Sequence, residues 1–230
     1  MSAPQTEGEQ RNSYRAQRRE LRRKRRALTP QQQRDHARRI ARQLLRLGLL
    51  RSSRRVALYL ANDGEPDTGY LIEKLRKRGI RCYLPVVVTY PKYKMVFCHY
   101  PQGARLHPNR YGIGEPLSCR HRAPPWGLDV VLMPLVGFDG AGNRIGMGAG
   151  YYDRCFGYLL RRYHWRRPRL IGLAHSCQRL PQIAARPWDV ALDGVVTEQE
   201  TLLLCGLHRA SGMYDGVYPS CSQMAACLAK

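Results

Sequence analysis

The stretch Val130-Val-Leu-Met-Pro-Leu-Val-Gly-Phe-Asp-Gly-Ala-Gly-Asn-Arg-Ile-Gly-Met-Gly-Ala-Gly-Tyr-Tyr-Asp-Arg154 decides the fold of this 230-residue chain. Val130 to Val136 reads as a buried strand, because the run is apolar, short and bounded by turn formers. Glycines 146, 148 and 150 then remove every second Cβ. Backbone N–H groups in such a segment can approach an anion closely, and the chain can adopt positive φ, so the loop has the makings of a phosphate cradle. From Tyr151 a helix is expected to about Tyr163, with Asp153 in its first turn, where a carboxylate can also serve simply as a cap. A Walker loop is excluded because no Gly-Lys-Ser/Thr follows, and a dinucleotide fingerprint because Gly-x-Gly-x-x-Gly is missing.

Working outward, Val56 to Leu60 reads as a strand feeding the turn-rich Asn62-Asp-Gly-Glu-Pro66. Thr68 to Arg78 suits a helix, and Ile80 to Val87 and Met95 to Tyr100 suit strands. Residues 101–127 carry five prolines and four glycines, too many for regular structure, and read as a long functional or bridging loop. Leu170 to Ala174 and Asp193 to Thr197 complete the strands. The strand-helix-strand order predicts an α/β fold: an open, mainly parallel sheet flanked by helices, a three-layer Rossmann-like single domain with ligands at the carboxyl ends of the strands. At the N-terminus, residues 1–13 are polar and read as a disordered tail. Arg15 to Arg26 is a basic helix candidate. Thr29-Pro-Gln-Gln32 is a capping box for a second helix, with Ala37, Ile40, Ala41, Leu44 and Leu45 on one face, running to about Leu47 and stopped by Gly48. The domain is drawn over residues 14–200, and residues 201–230 are an extension with no assigned role.

The net charge of +22 raises nucleic-acid binding as an alternative. Seventeen of the basic residues fall between Arg11 and Arg55 against only Glu20 and Asp35, so the excess belongs to the N-terminal segment rather than to the whole surface. Nucleic acid is therefore not the expected partner. No run approaches the roughly 18 apolar residues of a membrane helix, and the first thirty residues hold no secretory apolar segment. A cytoplasmic monomer is expected. Eight cysteines without a Cys-x-x-Cys pair read as free thiols, mostly buried. The seven histidines lack zinc-site spacing, and His175 near Cys177 reads as structural.

Pro134, Phe138-Asp139, Gly142, Arg144, Gly146, Gly148, Gly150, Tyr151, Tyr152 and Asp153 together resemble the signature of the 5-formyltetrahydrofolate cyclo-ligase family, in which Pro-x-x-x-Phe-Asp leads into Gly-x-Arg-x-Gly-x-Gly-x-Gly-Tyr-Tyr-Asp. The resemblance spans roughly residues 14–197. It implies that Arg144, Ile145, Gly146, Met147, Gly148, Ala149, Gly150, Tyr151 and Tyr152 contact ATP, with Arg144 able to fork onto phosphate oxygens. It also implies that residues 147–151 reach the folate and that one of the two tyrosines stacks on a pterin or adenine ring. Asp153, and by alignment Asp189, would hold Mg²⁺, for which one or two carboxylates beside ATP phosphates suffice. Glu65, with Leu60 as its apolar neighbour, matches the acid that accepts from the pterin edge, although a turn-forming acid would look the same in this stretch. Counting back from Arg26-Ala-Leu-Thr29 places Arg18, and with it Arg15, as ATP contacts of the first helix; Tyr14 stands where the family has a lysine. Met147 and Ala149 occupy positions that some relatives give to Arg and Lys, which leaves the backbone donors intact.

The implied activity is a ligase forming a cyclic C–N bond in one-carbon metabolism: ATP- and Mg²⁺-dependent conversion of 5-formyltetrahydrofolate to 5,10-methenyltetrahydrofolate, with Arg144 and Asp153 as the catalytic pair. No Ser-His-Asp or Cys-His constellation competes with this reading.

Overall fold

The computed structural model describes residues 7–88, 94–161 and 167–204, with side chains from residue 13 onward. Its frame is an eight-stranded sheet. In chain order the strands are β1 (Arg55–Ala57), β2 (Arg81–Val88), β3 (Lys94–His99), β4 (Leu106–Pro108), β5 (Gly114–Pro116), β6 (Arg122–Ala123), β7 (Val130–Pro134), β8 (Gly137–Phe138), β9 (Arg144–Ile145), β10 (Arg169–Leu173), β11 (Gly194–Val196) and β12 (Thr201–Leu203). The large sheet runs β12-β11-β10-β7-β1-β2-β3-β6, while β4-β5 and β8-β9 form separate two-stranded ribbons. The five strands from β11 to β2 are parallel to their neighbours, and β12, β3 and β6 join antiparallel at the margins.

The apolar run 130–133 is explained by burial on both faces. Val130 and Leu132 face one core with Ile40, Leu44, Leu71 and Leu75. Val131 and Met133 face the other with Phe97, Phe156 and Leu159. The first core is closed by helices α2 (Pro30–Arg46) and α4 (Gly69–Lys77), the second by α5 (Tyr151–Phe156) and the 3-10 turn that follows it. Strand period and helix period thus meet in three layers, as expected of a covered parallel sheet.

Helix α2 carries the expected capping box: Thr29 Oγ1 accepts from Gln32 N at 3.2 Å and Gln32 Oε1 accepts from Thr29 N at 2.9 Å. Its end differs from expectation, because extended Leu47 breaks it and Gly48 opens a short helix α3 (Gly48–Arg51). The basic helix α1 (Glu7–Arg26) begins within the segment read as a disordered tail. No proline or glycine after Gly8 interrupts it. Residues 1–6 lie outside the described residues.

Four further expectations are corrected. Residues 201–203, assigned to the extension, belong to the sheet: β12 pairs with β11, and Thr197 closes the hairpin by accepting from Glu200 N at 3.0 Å. Three apolar residues are too few to show a period, and residues 205–230 lie outside the described part. The 101–127 segment holds regular structure after all, in the β4-β5 ribbon and β6. Asn109 turns the ribbon by accepting from Tyr111 N at 2.8 Å and Ile113 N at 3.1 Å. Cys98 and Cys119 are not free thiols but a disulfide, because β6 returns beside β3 and brings their Cα atoms to 5.0 Å. Cys82 and Cys155 are free, and burial pushes their thiols up to about 11 and about 12. Helix α5 ends at Phe156, earlier than expected, and tightens into a 3-10 turn over Gly157–Arg161; residues 162–166, including the expected end at Tyr163, are outside the described part. Among the described residues no helix is long and apolar enough to cross a membrane.

Candidate active site

Strand β1 has β2, its successor through α4, on one side and β7 on the other, so the order of the sheet reverses between β1 and β7. Open α/β sheets bind ligands at such a switch point, beyond the carboxyl ends of the strands. A cavity of about 1710 Å³ lies there, bounded by Tyr59 and Leu60 after β1 and by Pro134 and Leu135 at the end of β7. Arg18, Leu60, Glu65, Arg144, Ile145, the whole run from Gly146 to Asp153, and Asp189 all line it. Arg15 does not; it is exposed in a neighbouring groove with Arg19.

The glycine loop is held from two sides. Upstream, Asp139 of the signature is structural: it accepts from Ala141 N at 3.0 Å, Asn143 N at 2.9 Å and Ile183 N at 2.9 Å, which fixes the turn into β9. Gly142 in that turn has φ of 83°, and a Cβ there would meet Leu192 O at 2.9 Å, so no other residue fits without displacing backbone. Within the loop Gly148 has φ of 104°, where a side chain is strained. Arg18 reaches across from α1, donating from Nε to Gly146 O at 2.9 Å, and its guanidinium lies near the position a Cβ on Gly148 would take.

Arg144 is not held clear of other protein groups. Its side chain is 7% exposed and pairs with Asp153 Oδ1 at 2.5 Å while also donating to Val190 O. Asp153 Oδ1 further accepts from Val190 N at 3.2 Å. Both contacts fall on one oxygen and leave Oδ2 for a ligand. Asp189 accepts from Arg186 N at 3.0 Å, and its carboxyl is pushed up by burial, with the negative charge of Asp153 adding to the effect.

The opposite wall carries Glu65. Burial pushes its carboxyl up to about 7, against the pull of Arg25, whose nitrogen is 3.8 Å away, and a hydrogen bond from Asn62 N at 3.1 Å. Two residues earlier Asp63 behaves oppositely. Burial alone would raise it, but hydrogen bonds from Arg22, Arg25 and Arg26 bring it down to about 2. Asp63 has a φ of 54°, unusual for a residue with a Cβ, and Arg25, fully buried, also donates to Asp63 O at 2.8 Å and Leu135 O at 3.1 Å. This latch ties α1 to the β1 loop and to the end of β7. The inner arginines of α1 are thus engaged by the glycine loop and by Asp63.

Of the two tyrosines, Tyr152 stacks against Phe156 with ring centres 6.4 Å apart and its hydroxyl pushed up by burial. Tyr151 also lines the cavity, its hydroxyl accepting from Arg110 at 2.7 Å. Sequence reasoning missed several lining residues. Tyr14 donates to Ala184 O, and Arg186 lies 5.3 Å from the Tyr14 ring and 5.8 Å from that of Trp188. Tyr111 and Ile113 come from the β4-β5 ribbon. Aromatic and basic residues beside the tyrosine-rich loop were the available signal.

The family model for the 5-formyltetrahydrofolate cyclo-ligase family matches residues 10–198. The 5-formyltetrahydrofolate cyclo-ligase of Escherichia coli K12 is 38% identical over 178 residues, covering 77% of this chain and 96% of that protein. That of Haemophilus influenzae is 35% identical over 176 residues, covering 75% and 91%. The solved structure of Aquifex aeolicus 5,10-methenyltetrahydrofolate synthetase superimposes with a TM-score of 0.71 at 27% identity, covering 89% of this chain and 97% of that one. With the signature laid around a switch-point cavity and the match running across most of its length, the chain belongs to the 5-formyltetrahydrofolate cyclo-ligase family.

Proposed function

We propose that this protein converts 5-formyltetrahydrofolate to 5,10-methenyltetrahydrofolate, consuming ATP in the presence of Mg²⁺ and releasing ADP and phosphate. The observation that carries the reading is the size and divided chemistry of the cavity. At about 1710 Å³ it exceeds the roughly 300–1,000 Å³ of a site for one small molecule. One wall offers a desolvated carboxylate, the other a side-chain-poor loop beside arginines. A pterin and a nucleotide suit these two walls.

Glu65 accepts from the 2-amino group and a ring N–H of the pterin, two donors on one edge that a carboxylate meets in bidentate fashion. Leu60 lies under the ring and Tyr151 supplies a stacking face. The backbone amides of 146–150 receive the phosphates, and Arg18, docked on Gly146, adds permanent positive charge. Arg144 acts through Asp153, fixing Oδ1 so that Oδ2 is oriented. Asp153 and Asp189 fit a hard divalent cation, since the negative charge of Asp153 disfavours ionisation of Asp189 and a cation relieves that cost. When bound, Mg²⁺ supplies charge neutralisation at the ATP phosphates.

In the reaction the formyl oxygen attacks the γ-phosphorus and ADP leaves. N10 then attacks the activated formyl carbon and loses its proton to solvent, and phosphate departs with the formyl oxygen. No side chain forms a covalent bond, so the protein contributes orientation and electrostatics. The test is to mix the purified protein with 5-formyltetrahydrofolate, ATP and Mg²⁺ and follow methenyl-folate absorbance. Product that requires ATP, with one ADP for each turnover, is expected. A folded, nucleotide-binding protein that forms none overturns the reading.

A further inference from the structure

Beside Gly64 and outside the residues that line the cavity, three segments bring together His36 of α2, His175 after β10 and Glu198 in the β11-β12 turn. Their ligand atoms all lie within 4.8 Å of one another. The two Nδ1 atoms face each other at 2.9 Å, and His36 Nδ1 is 3.6 Å from Glu198 Oε2. Around a cation with bonds of about 2.0–2.2 Å to nitrogen and oxygen, neighbouring ligand atoms are separated by about 3 Å, which is the scale of these spacings.

Each buried ligand already has an outer partner. His175 Nε2 is 3.2 Å from Gly64 O. A carbonyl can only accept, so Nε2 carries the hydrogen and Nδ1 of the neutral ring presents a lone pair inward. Glu198 Oε2 accepts from Ser176 N at 3.0 Å and Oε1 from Ser176 Oγ. Such outer bonds, imidazole N–H to a backbone carbonyl and donors to a carboxylate, orient the ligands of metal sites. His175 is fully buried and Glu198 nearly so, while the His36 side chain is 18% exposed and leaves an approach from solvent.

We infer that His36 Nδ1, His175 Nδ1 and Glu198 Oε2 form a binding site for a borderline divalent cation, Zn²⁺ first, distinct from the cavity. Two imidazoles and one carboxylate suit Zn²⁺, and a solvent water completes four-coordination. Binding displaces the proton held between the two Nδ1 atoms, which moves to His36 Nε2 as that neutral ring changes tautomer, because both Nδ1 lone pairs go to the metal. The ion then joins α2, the turn after β10 and the β11-β12 hairpin, and through Gly64 O it braces the loop that carries Asp63 and Glu65. Histidine spacing gave no sign of it because the ligands lie 139 and 23 residues apart.

The test is calorimetric titration of metal-stripped full-length protein with Zn²⁺, alongside His36→Phe, Glu198→Gln and Asp153→Asn, with thermal unfolding and the visible spectrum after Co²⁺ loading. His36→Phe changes the exposed ligand, so its fold is retained and checked by unfolding in the absence of metal. We expect one equivalent bound, Tm raised by about 5 °C or more at a hundredfold excess over Kd, and four-coordinate Co²⁺ bands. All three are lost, with affinity reduced at least about 100-fold, in His36→Phe and Glu198→Gln but kept in Asp153→Asn. Binding unchanged in His36→Phe and Glu198→Gln, abolished in Asp153→Asn, or absent from the unmodified protein overturns the site.

Discussion

The two walls of the cavity hold charge in opposite ways. On the 62–66 loop Asp63 is surrounded by three arginines and drawn down to about 2, while Glu65 is desolvated and pushed up to about 7. On the 146–153 wall three of the eight residues are glycine, and charge is supplied by backbone amides, by Arg18 and by the Arg144–Asp153 pair. The first wall is built from buried side chains satisfied by the protein, with one left to meet a ligand. The second presents the glycine loop and an Asp153 whose protein contacts fall on Oδ1 alone. Stability and binding should therefore separate: substitutions at Asp63 act on the fold, and those at Asp153, Glu65 and Gly148 act on function.

The largest effect is expected at Asp153→Asn. It removes the charge that pairs with Arg144 and would face Mg²⁺, and kcat/KM measured from methenyl product should fall about 10³-fold with unfolding little changed. Asp63→Ala comes next and acts oppositely. It leaves Arg25 buried without its carboxylate, and denaturant unfolding should show a loss of about 3 kcal/mol. An Asp63→Ala protein as stable as the unsubstituted one would erase the distinction between the walls.

Glu65→Gln should raise KM for the folate about 10–100-fold, the loss of one charge-assisted pairing of about 1.5–3 kcal/mol, while KM for ATP is unchanged. The pH dependence sharpens this. Glu65 binds as the carboxylate and titrates at about 7, so kcat/KM for the folate should rise with pH through about 7 and level off above it, and Glu65→Gln should abolish that limb. For stability the signs of the two acids are opposite. Glu65, raised from 4.5, favours the folded state while protonated, and its contribution is lost as pH rises through about 7. Asp63, lowered from 3.8, contributes above its unfolded value and loses that contribution as pH falls through about 2. The smallest effect is expected at Gly148→Ala. Backbone strain of roughly 1–2 kcal/mol should raise KM for ATP about tenfold and leave folate KM alone.

Much of the second wall was readable from sequence because it is contiguous. The buried strand, the glycine loop and Asp153 follow one another within a single stretch, and each signal reinforces the next. The first wall was readable only at Glu65. Its latch joins Arg22, Arg25 and Arg26 to an aspartate some forty residues away, and no spacing rule links such partners. In sequence these arginines look like a solvated charge run, although Arg25 is fully buried. The same reason hid the Cys98–Cys119 pair and the aromatic group around Tyr14. The short strands β4, β5, β6 and β12 escaped because two or three residues cannot display a period, and pairing with a neighbour, not propensity, makes them strands. The parallel centre of the sheet was expected correctly, since it is carried by apolar runs such as 130–136 and 170–174 that are buried on both faces, even though β1 and β11 themselves span only three residues.

The central claim is that one cavity holds two ligands at once, the folate on Glu65 and the nucleotide on the glycine loop. Calorimetric titration of a non-hydrolysable ATP analogue with Mg²⁺ into protein saturated with 5-formyltetrahydrofolate, and the reverse titration, test it most directly. The account predicts one site for each ligand, occupied together, with Asp153→Asn weakening only the nucleotide and Glu65→Gln only the folate. Mutual exclusion of the two ligands, or loss of both affinities in either variant, would contradict it.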